Sequence, residues 1–353
     1  MDTTTVWTGG CRSFLMDTED HLCFPQQPNI SCQRPSFNWS EAILFRVVLP
    51  LESILTMLLN LLVIISISHF RHMFFFCKPH GAARQLHTPT NLILCSLAVS
   101  DFLVGLVAMP GESYVNTSCW FLGDVLCCLW NYMLFISASA SVGNMVLISA
   151  DRYVAICDPL RYTVKVTMKR TQLCVGLCWF FTCIYCGIIF KDYLAHPGKF
   201  NSCRGECVLG FESYGGILDM VMSFILPLII IITLYIRVYV VAVSQARVMR
   251  THLACSKVKQ SVRVKKSELK AARNLGVLVL VFLLCFCPYY IVSLMADDGT
   301  LASLAQSLLY LYDFNSCVNP FIYALFYPWF QRAIKHIVTL RILKPGSREA
   351  HIL

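Results

Sequence analysis

Residues 315–332 read NSCVNPFIYALFYPWFQR. The stretch opens inside a long apolar run and interrupts its helix at Asn319-Pro320, with Tyr323 three residues after the proline. A proline inside a helix removes a donor and frees a carbonyl, which a membrane span tolerates only where neighbouring helices or water satisfy it. Asn-Pro-x-x-Tyr therefore predicts a wet, deformable hinge at one end of a bundle helix. The aromatic and basic residues that follow predict a short amphipathic helix near 328–337.

Composition extends this reading to the whole chain. Charged residues make up 14% and apolar residues 57%, against roughly 25% and 45–50% in soluble domains. Apolar runs of bilayer-spanning length recur near 42–69, 89–112, 124–156, 170–191, 211–243, 270–296 and 301–326. The expected fold is an all-α membrane protein, a seven-transmembrane helix bundle with a short amphipathic eighth helix. Residues 1–41 are expected to form an extracellular segment and 42–326 the bundle, with a long first cytoplasmic loop near 70–88. Residues 327–353 would supply the eighth helix and tail.

The net charge of +9 is unevenly distributed. Arg152, Arg161, Lys165, Lys169 and Arg170 follow the third run, a dense basic set from Arg247 to Arg273 follows the fifth, and Arg332, Lys335, Arg341, Lys344 and Arg348 lie in the tail. The opposite loops carry Asp17, Glu19, Asp20, Glu41, Glu112, Glu206, Asp297 and Asp298. By the positive-inside rule the N-terminus is expected outside and the C-terminus inside. The positive charge is thus a topology signal and speaks against nucleic acid as partner. No basic segment with an apolar core precedes the first run, so that run is expected to drive translocation. Asn29, Asn38 and Asn116 open N-x-S/T sequons on the expected outside, so all three are candidate glycosylation sites.

Most of the nineteen cysteines lie inside the runs, where a thiol packs as a small apolar group. Cys11, Cys23, Cys32, Cys119, Cys127, Cys203 and Cys207 fall outside, an odd number whose pairing sequence alone leaves open. Acids within the runs are more telling, since an aspartate at a helix centre costs roughly 2.5–3.5 kcal/mol on insertion scales. Asp101, Asp219 and Asp313 are such residues. Asp219 lies eight residues before Pro227, nearly on one face with it, and Met222, Ser223 and Leu226 continue the stripe. With no cation near it on its own helix, it needs a ligand ammonium, water, a proton or a polar partner on a neighbouring helix. Asp313, six residues before Asn319, is either a second ligand contact or a structural hydrogen-bonding group.

Asp151-Arg152-Tyr153 ends the third run, and Trp179, Pro227, Pro288 and the Asn319-Pro320-x-x-Tyr323 hinge each fall in a different later run. This conjunction resembles the rhodopsin-like G-protein-coupled receptors. Phe326-Tyr327-Pro328-Trp329-Phe330, the pair Cys23-Phe24 and Cys203-x-x-x-Cys207 resemble one branch, the trace amine-associated receptors.

The resemblance implies a Cys127–Cys207 disulfide and a bond from an N-terminal cysteine to the second outer loop, with Cys23–Cys203 and Cys32–Cys119 as the expected pairs. It implies a polar cluster of Asn60, Asp101, Ser316 and Asn319, able to hold a sodium ion or to act as a purely structural network. It implies that Arg152 pairs with an acid, for which Glu268 occupies the family's position, until the sixth helix swings outward about Pro288. The sequence departs from the family in two places. Phe286 stands where relatives usually have tryptophan, and residues 72–84 (HMFFFCKPHGAAR) lengthen the first loop, through either an insertion or a gene-model error.

Biogenic-amine receptors carry an aspartate eighteen residues before the Arg152 equivalent, and here that position is Leu134. The resemblance extends to fish receptors of this branch whose anchor moved to the fifth helix, which points to Asp219. Asp313 would suit a second charge on a di- or polyamine, and Phe286, Tyr289 and Tyr290 would supply aromatic walls for an ammonium, or simply pack. The expected protein is an olfactory amine receptor in sensory neurons, coupled to a stimulatory G protein and cyclic AMP. Membrane lipid is its other partner, and it needs no cofactor beyond the sodium ion named above. A serotonin- or histamine-type receptor is the nearest rival, and Leu134 counts against it. An amine transporter would show repeats and broken helices, and no nucleophile–base or metal spacing supports an enzyme.

Overall fold

The computed structural model describes residues 21–36, 38–69, 88–210, 214–253, 259–295, 299–326 and 328–339, with the backbone alone at 245–253 and 259–275. Among the described residues, seven long helices and a shorter one after them follow in order, with brief helical turns at Tyr162–Lys165 and Lys191–Ala195 in the connections. α1 comprises Trp39–Ile43 and Leu49–His69, joined by a π-helical turn at Leu44–Val48. α2 comprises Pro89–Leu103 and Met109–Thr117 around a second π turn, Val104–Ala108. α3 is Asp124–Cys157 and α4 is Met168–Ile189. α5 comprises Gly215–Asp219 and Leu226–Leu253 around a third π turn, Met220–Ile225. α6 is Lys259–Met295, α7 Gly299–Phe326 and α8 Pro328–Val338. Among the described residues, five helices are long and apolar enough to cross a membrane.

Local chemistry sets the helix starts. Thr88 caps α2 by accepting the Asn91 backbone N–H at 3.2 Å, with Pro89 at the first helical position, where its missing donor costs nothing. α3 begins after Gly123, whose φ of 81° favours glycine. The packed bundle is inverted relative to a soluble one. Leu51, Phe180, Phe181, Ile188, Ile229 and Tyr239 face outward, whereas Asn60, Asp101, Asn144 and Asn319 are fully buried. α3 packs against α2, α4 and α5, and α7 closes the ring against α6 and α1. α8 seats Phe330 and Ala333 inward against α7 and α1.

The π turns correct two expectations. A π turn inserts one residue into the helical register. In α2 it carries the helix through Pro110-Gly111 and past 112, where the apolar run was expected to end, to Thr117. Glu112 is therefore a buried helical residue, not a loop acid. The carbonyls that the turn frees find new donors: Ser53 Oγ bonds the Gly105 oxygen at 2.7 Å, and Trp130 Nε1 bonds the Val107 oxygen at 3.1 Å. At Gly105 the α1 backbone comes so close that a Cβ would sit 2.9 Å from the Met57 nitrogen. In α5 the turn breaks the expected stripe, with Ser223 and Phe224 facing in and Met222 and Leu226 facing out.

At one end of the bundle, residues 21–36 fold into a small hairpin in which the Cys23 N–H bonds the Cys32 carbonyl at 2.9 Å. Its second arm runs beside the loop before α5, with Ser31 bridged to Arg204 and the Cys32 N–H on the Arg204 carbonyl at 3.0 Å. This alignment sets Cys32 against Cys203 and turns Cys23 towards the end of α2. The disulfides are Cys23–Cys119, Cys32–Cys203 and Cys127–Cys207. The expected pairs Cys23–Cys203 and Cys32–Cys119 are thus exchanged, because backbone pairing fixes which arm faces the loop. Cys11 and residues 72–84 lie outside the described residues.

Candidate functional site

Asp101 is the hub of the bundle's centre. Its Oδ1 accepts from Ser141 Oγ at 2.8 Å and Ser316 Oγ at 2.9 Å, and its Oδ2 accepts from Asn319 Nδ2 at 2.8 Å. Asn60 joins indirectly, donating to the Thr56 and Ser316 carbonyls. Ser141 was absent from the sequence-derived cluster, because a small hydroxyl in a serine-rich helix carries no distinguishing pattern. The donor set fits a sodium ion, which takes hard oxygen ligands: one carboxylate and two hydroxyls, with Asn319 Oδ1 a buried oxygen that has no hydrogen-bond partner.

At the end remote from the hairpin, Arg152 Nε lies 3.0 Å from Asp151 Oδ2. Thr90 of α2 bridges them, accepting from Arg152 Nη2 at 2.6 Å and donating to Asp151 Oδ2 at 2.8 Å. Tyr162, in the loop after α3, donates to Asp151 Oδ1 at 2.9 Å. Burial, and then the adjacent Asp151 charge, push the Tyr162 phenol above its ordinary range. Arg152 is thereby tied to α2 and its own neighbour. Tyr153 packs at the edge of the same core, which includes Tyr323. Glu268 lies on α6 with its side chain outside the described residues.

Towards the hairpin end, Asp219 is half-buried on the last α-helical turn before the π turn of α5. Its Oδ1 accepts from Tyr185 of α4 at 2.8 Å and from Ser223 at 2.9 Å. Sequence reasoning missed Tyr185, since nothing in α4 alone marks one tyrosine as a partner for α5. Beside this acid stands an aromatic wall drawn from three helices. Phe224 stacks on Tyr290 at 4.4 Å, and Phe286 lies 4.3 Å from Phe282 and 4.1 Å from Tyr312. Tyr289 meets Tyr312 edge-on at 5.8 Å. Phe286 and Tyr290 are buried by these neighbours, while Tyr289 is only part-buried. Leu134 packs against Val104, Ala108 and Met109 of α2, so the position lacking an acid is filled with apolar contact.

Asp313 does not stand alone. Glu112 of α2 faces it and Glu52 of α1 is in electrostatic range of both. Glu112 is 3% and Asp313 5% exposed. Glu52 Oε1, Glu112 Oε1 and Oε2, and Asp313 Oδ2 are buried without a hydrogen-bond partner. Glu52 escaped the sequence reading inside an apolar run, and Glu112 was assigned to a loop. Asn29 and Asn38 are exposed. Asn116 is not, and its Nδ2, the atom a glycan would occupy, donates to the Glu112 carbonyl and the Tyr310 hydroxyl, each at 2.8 Å. In the folded bundle the Asn116 amide is thus engaged by α2 and α7.

Residues 80–323 match the model of the 7 transmembrane receptor (rhodopsin family). Full-length relatives agree. The chain is 33% identical to trace amine-associated receptor 8b of Rattus norvegicus, over 92% of this chain and 94% of that protein. It is 32% identical to trace amine-associated receptor 13c of Danio rerio, over 94% and 96%, and 34% identical to trace amine-associated receptor 1 of Mus musculus, over 94% and 99%.

Proposed function

Because the chain belongs to the rhodopsin family of seven-transmembrane receptors and, within it, to the trace amine-associated receptors, we propose that its amine ligand is held by Asp219 and that it signals through a stimulatory G protein to cyclic AMP. It is a multi-pass membrane protein that senses amines and acts through heterotrimeric G proteins. In this reading residues 1–41 and the hairpin face the outside of the plasma membrane of olfactory sensory neurons. Arg152 and α8 face the cytoplasm, and the G protein binds there.

One observation supports the anchor above the rest: Asp219 is the acid on α5 that borders the aromatic wall, while Leu134 is packed away against α2. Both hydroxyl donors fall on Asp219 Oδ1, so a ligand N–H engages the carboxylate through its other oxygen. A charge-assisted bond of that kind contributes about 1.5–3 kcal/mol. A ligand touching α5 and the wall that includes Tyr289 and Tyr290, which directly follow Pro288, biases the bundle only by binding its open form more tightly than its closed form. Asp101 with Ser141 and Ser316 would hold a sodium ion in the closed form.

The test is a cyclic-AMP dose response to mono-, di- and polyamines in cells with matched surface expression. Asp219→Ala should abolish the response, and Asp313→Ala should weaken di- and polyamine responses selectively. An unchanged Asp219→Ala response would make the acid structural, held by Tyr185 and Ser223.

A further inference from the structure

Three carboxyl groups from three helices gather between α1, α2 and α7: Glu112 and Asp313 lie within hydrogen-bonding reach of one another, with Glu52 in electrostatic range of both. The charges that bear on Glu112 are those of Asp313 and Glu52, both of like sign. Among the described residues, no lysine, arginine or histidine figures among the groups acting on any of the three. Arg46, the nearest cation in sequence to Glu52, is exposed. Four of the carboxyl oxygens are buried without a hydrogen-bond partner. A buried polar group without a partner costs about 1–3 kcal/mol, and more if charged, so a cluster of this kind is costly unless something occupies it.

The architecture that delivers these acids is specific. The π turn of α2 keeps the helix going through Pro110-Gly111 and sets Glu112 on the side that faces α7. Asn116, one turn on, confirms the direction by reaching Tyr310 of α7 at 2.8 Å. Trp130 fills the space over Gly111, where a Cβ would collide with its indole, and so fixes that segment against α3. The acids also communicate with the amine site. Tyr289 feels the charges of Asp219, Glu112 and Asp313 together, and Tyr312 those of Asp219 and Asp313. The aromatic wall therefore stands between two acidic poles.

We propose that Glu52, Glu112 and Asp313 form a second ammonium subsite, which takes the distal primary amine of a di- or polyamine whose first amine sits on Asp219. The inference rests on the amine reading above. The chemistry matches in sign and in donors: a primary ammonium presents three N–H donors and one positive charge to a carboxyl cluster that offers buried acceptor oxygens. The tyrosines between the poles line the path of the connecting methylene chain.

The experiment compares α,ω-diaminoalkanes of increasing length with the matching 1-aminoalkanes on wild type, Glu112→Gln and Asp219→Ala. Two readouts are used: cyclic-AMP potency in cells and thermal stabilisation of the purified full-length receptor. Glu112→Gln should lose about tenfold or more in potency for the diamine of best length, a change of about 1.4 kcal/mol, and keep its monoamine potency. The same diamine should stabilise wild type more than the monoamine does, and the excess should vanish in Glu112→Gln. Equal losses for both amines, or no loss, overturn the subsite. Stabilisation by sodium chloride that Glu112→Gln removes would assign the cluster to a metal ion and also overturn it. If cells give no cyclic-AMP signal but the diamine excess persists in the purified protein, the signalling route is wrong and the subsite stands. If no amine stabilises either protein, both fail.

Discussion

Asp101 and the Glu52–Glu112–Asp313 cluster are both buried acid centres between α2 and α7, yet they are built in opposite ways. Asp101 receives three donors from two helices. The cluster receives none on four of its oxygens. A carboxylate ringed with donors is complete in the resting protein and joins helices together. Carboxyls that face only one another are incomplete and wait for a cation or protons. The same residue type, in one crevice, thus serves cohesion at the centre and recognition nearer the hairpin. Asp219 is intermediate, with one oxygen satisfied by Tyr185 and Ser223.

The contrast predicts mutational effects of opposite sign. Asp101→Ala strands three buried donors, and the purified receptor should lose about 3 kcal/mol of stability, read as a large drop in its unfolding temperature. Glu112→Gln should do the reverse without ligand. The new amide N–H groups supply donors to Asp313, and stability should rise by about 1 kcal/mol, the scale of one net hydrogen bond. A fall in unfolding temperature for Glu112→Gln would erase the distinction between the two centres. Tyr185→Phe sharpens the intermediate case. Loss of one donor from Asp219 should reduce amine potency about two- to tenfold while leaving Ser223 to hold the rotamer. The smallest effect should come from Asp158, which Lys165 meets at 2.8 Å in the exposed loop after α3. The hydrogen bond to Lys165, with its charge, holds the Asp158 carboxyl below its ordinary range. Any contribution is therefore present above the unfolded-state value and fades as pH falls through the folded one. Solvent screens such a pair, so Asp158→Asn should leave the unfolding temperature at neutral pH unchanged.

Much of this was legible from the chain because the bilayer imposes period and length. Apolar runs gave seven helices, and Asn319-Pro320 and Asp151-Arg152-Tyr153 marked the hinge and one end. What escaped depends on register and on partners distant in sequence. Pro110-Gly111 carries the local signature of a helix end, and only the π turn five residues earlier, with Trp130 and Ser53 taking up its carbonyls, lets α2 continue. That one-residue shift turned Glu112 from a loop acid into a core acid, and in α5 it turned Met222 and Leu226 outward. Tyr185 and Ser141 were invisible because a hydroxyl's partner is chosen by helix packing. The disulfide pairing followed from which hairpin arm lies against Arg204, a matter of backbone hydrogen bonding that cysteine spacing does not encode. Glu52 is different. The cost of an acid in an apolar run singles it out as readily as Asp219.

The three disulfides also have a topological meaning. Following the chain from Cys23 to Cys32, across to Cys203, on to Cys207, across to Cys127, back to Cys119 and across again to Cys23 returns to the start. The rim is a covalent macrocycle stitched to the ends of α2 and α3 and to the loop before α5. Cutting any single link leaves an open chain still fastened by the other two. Such a hoop limits how far the outer ends of α2 and α3 and that loop can separate. At the far end, among the described residues, no disulfide joins the helices, and Arg152 is held by its ion pair with Asp151 and its hydrogen bond to Thr90 of α2.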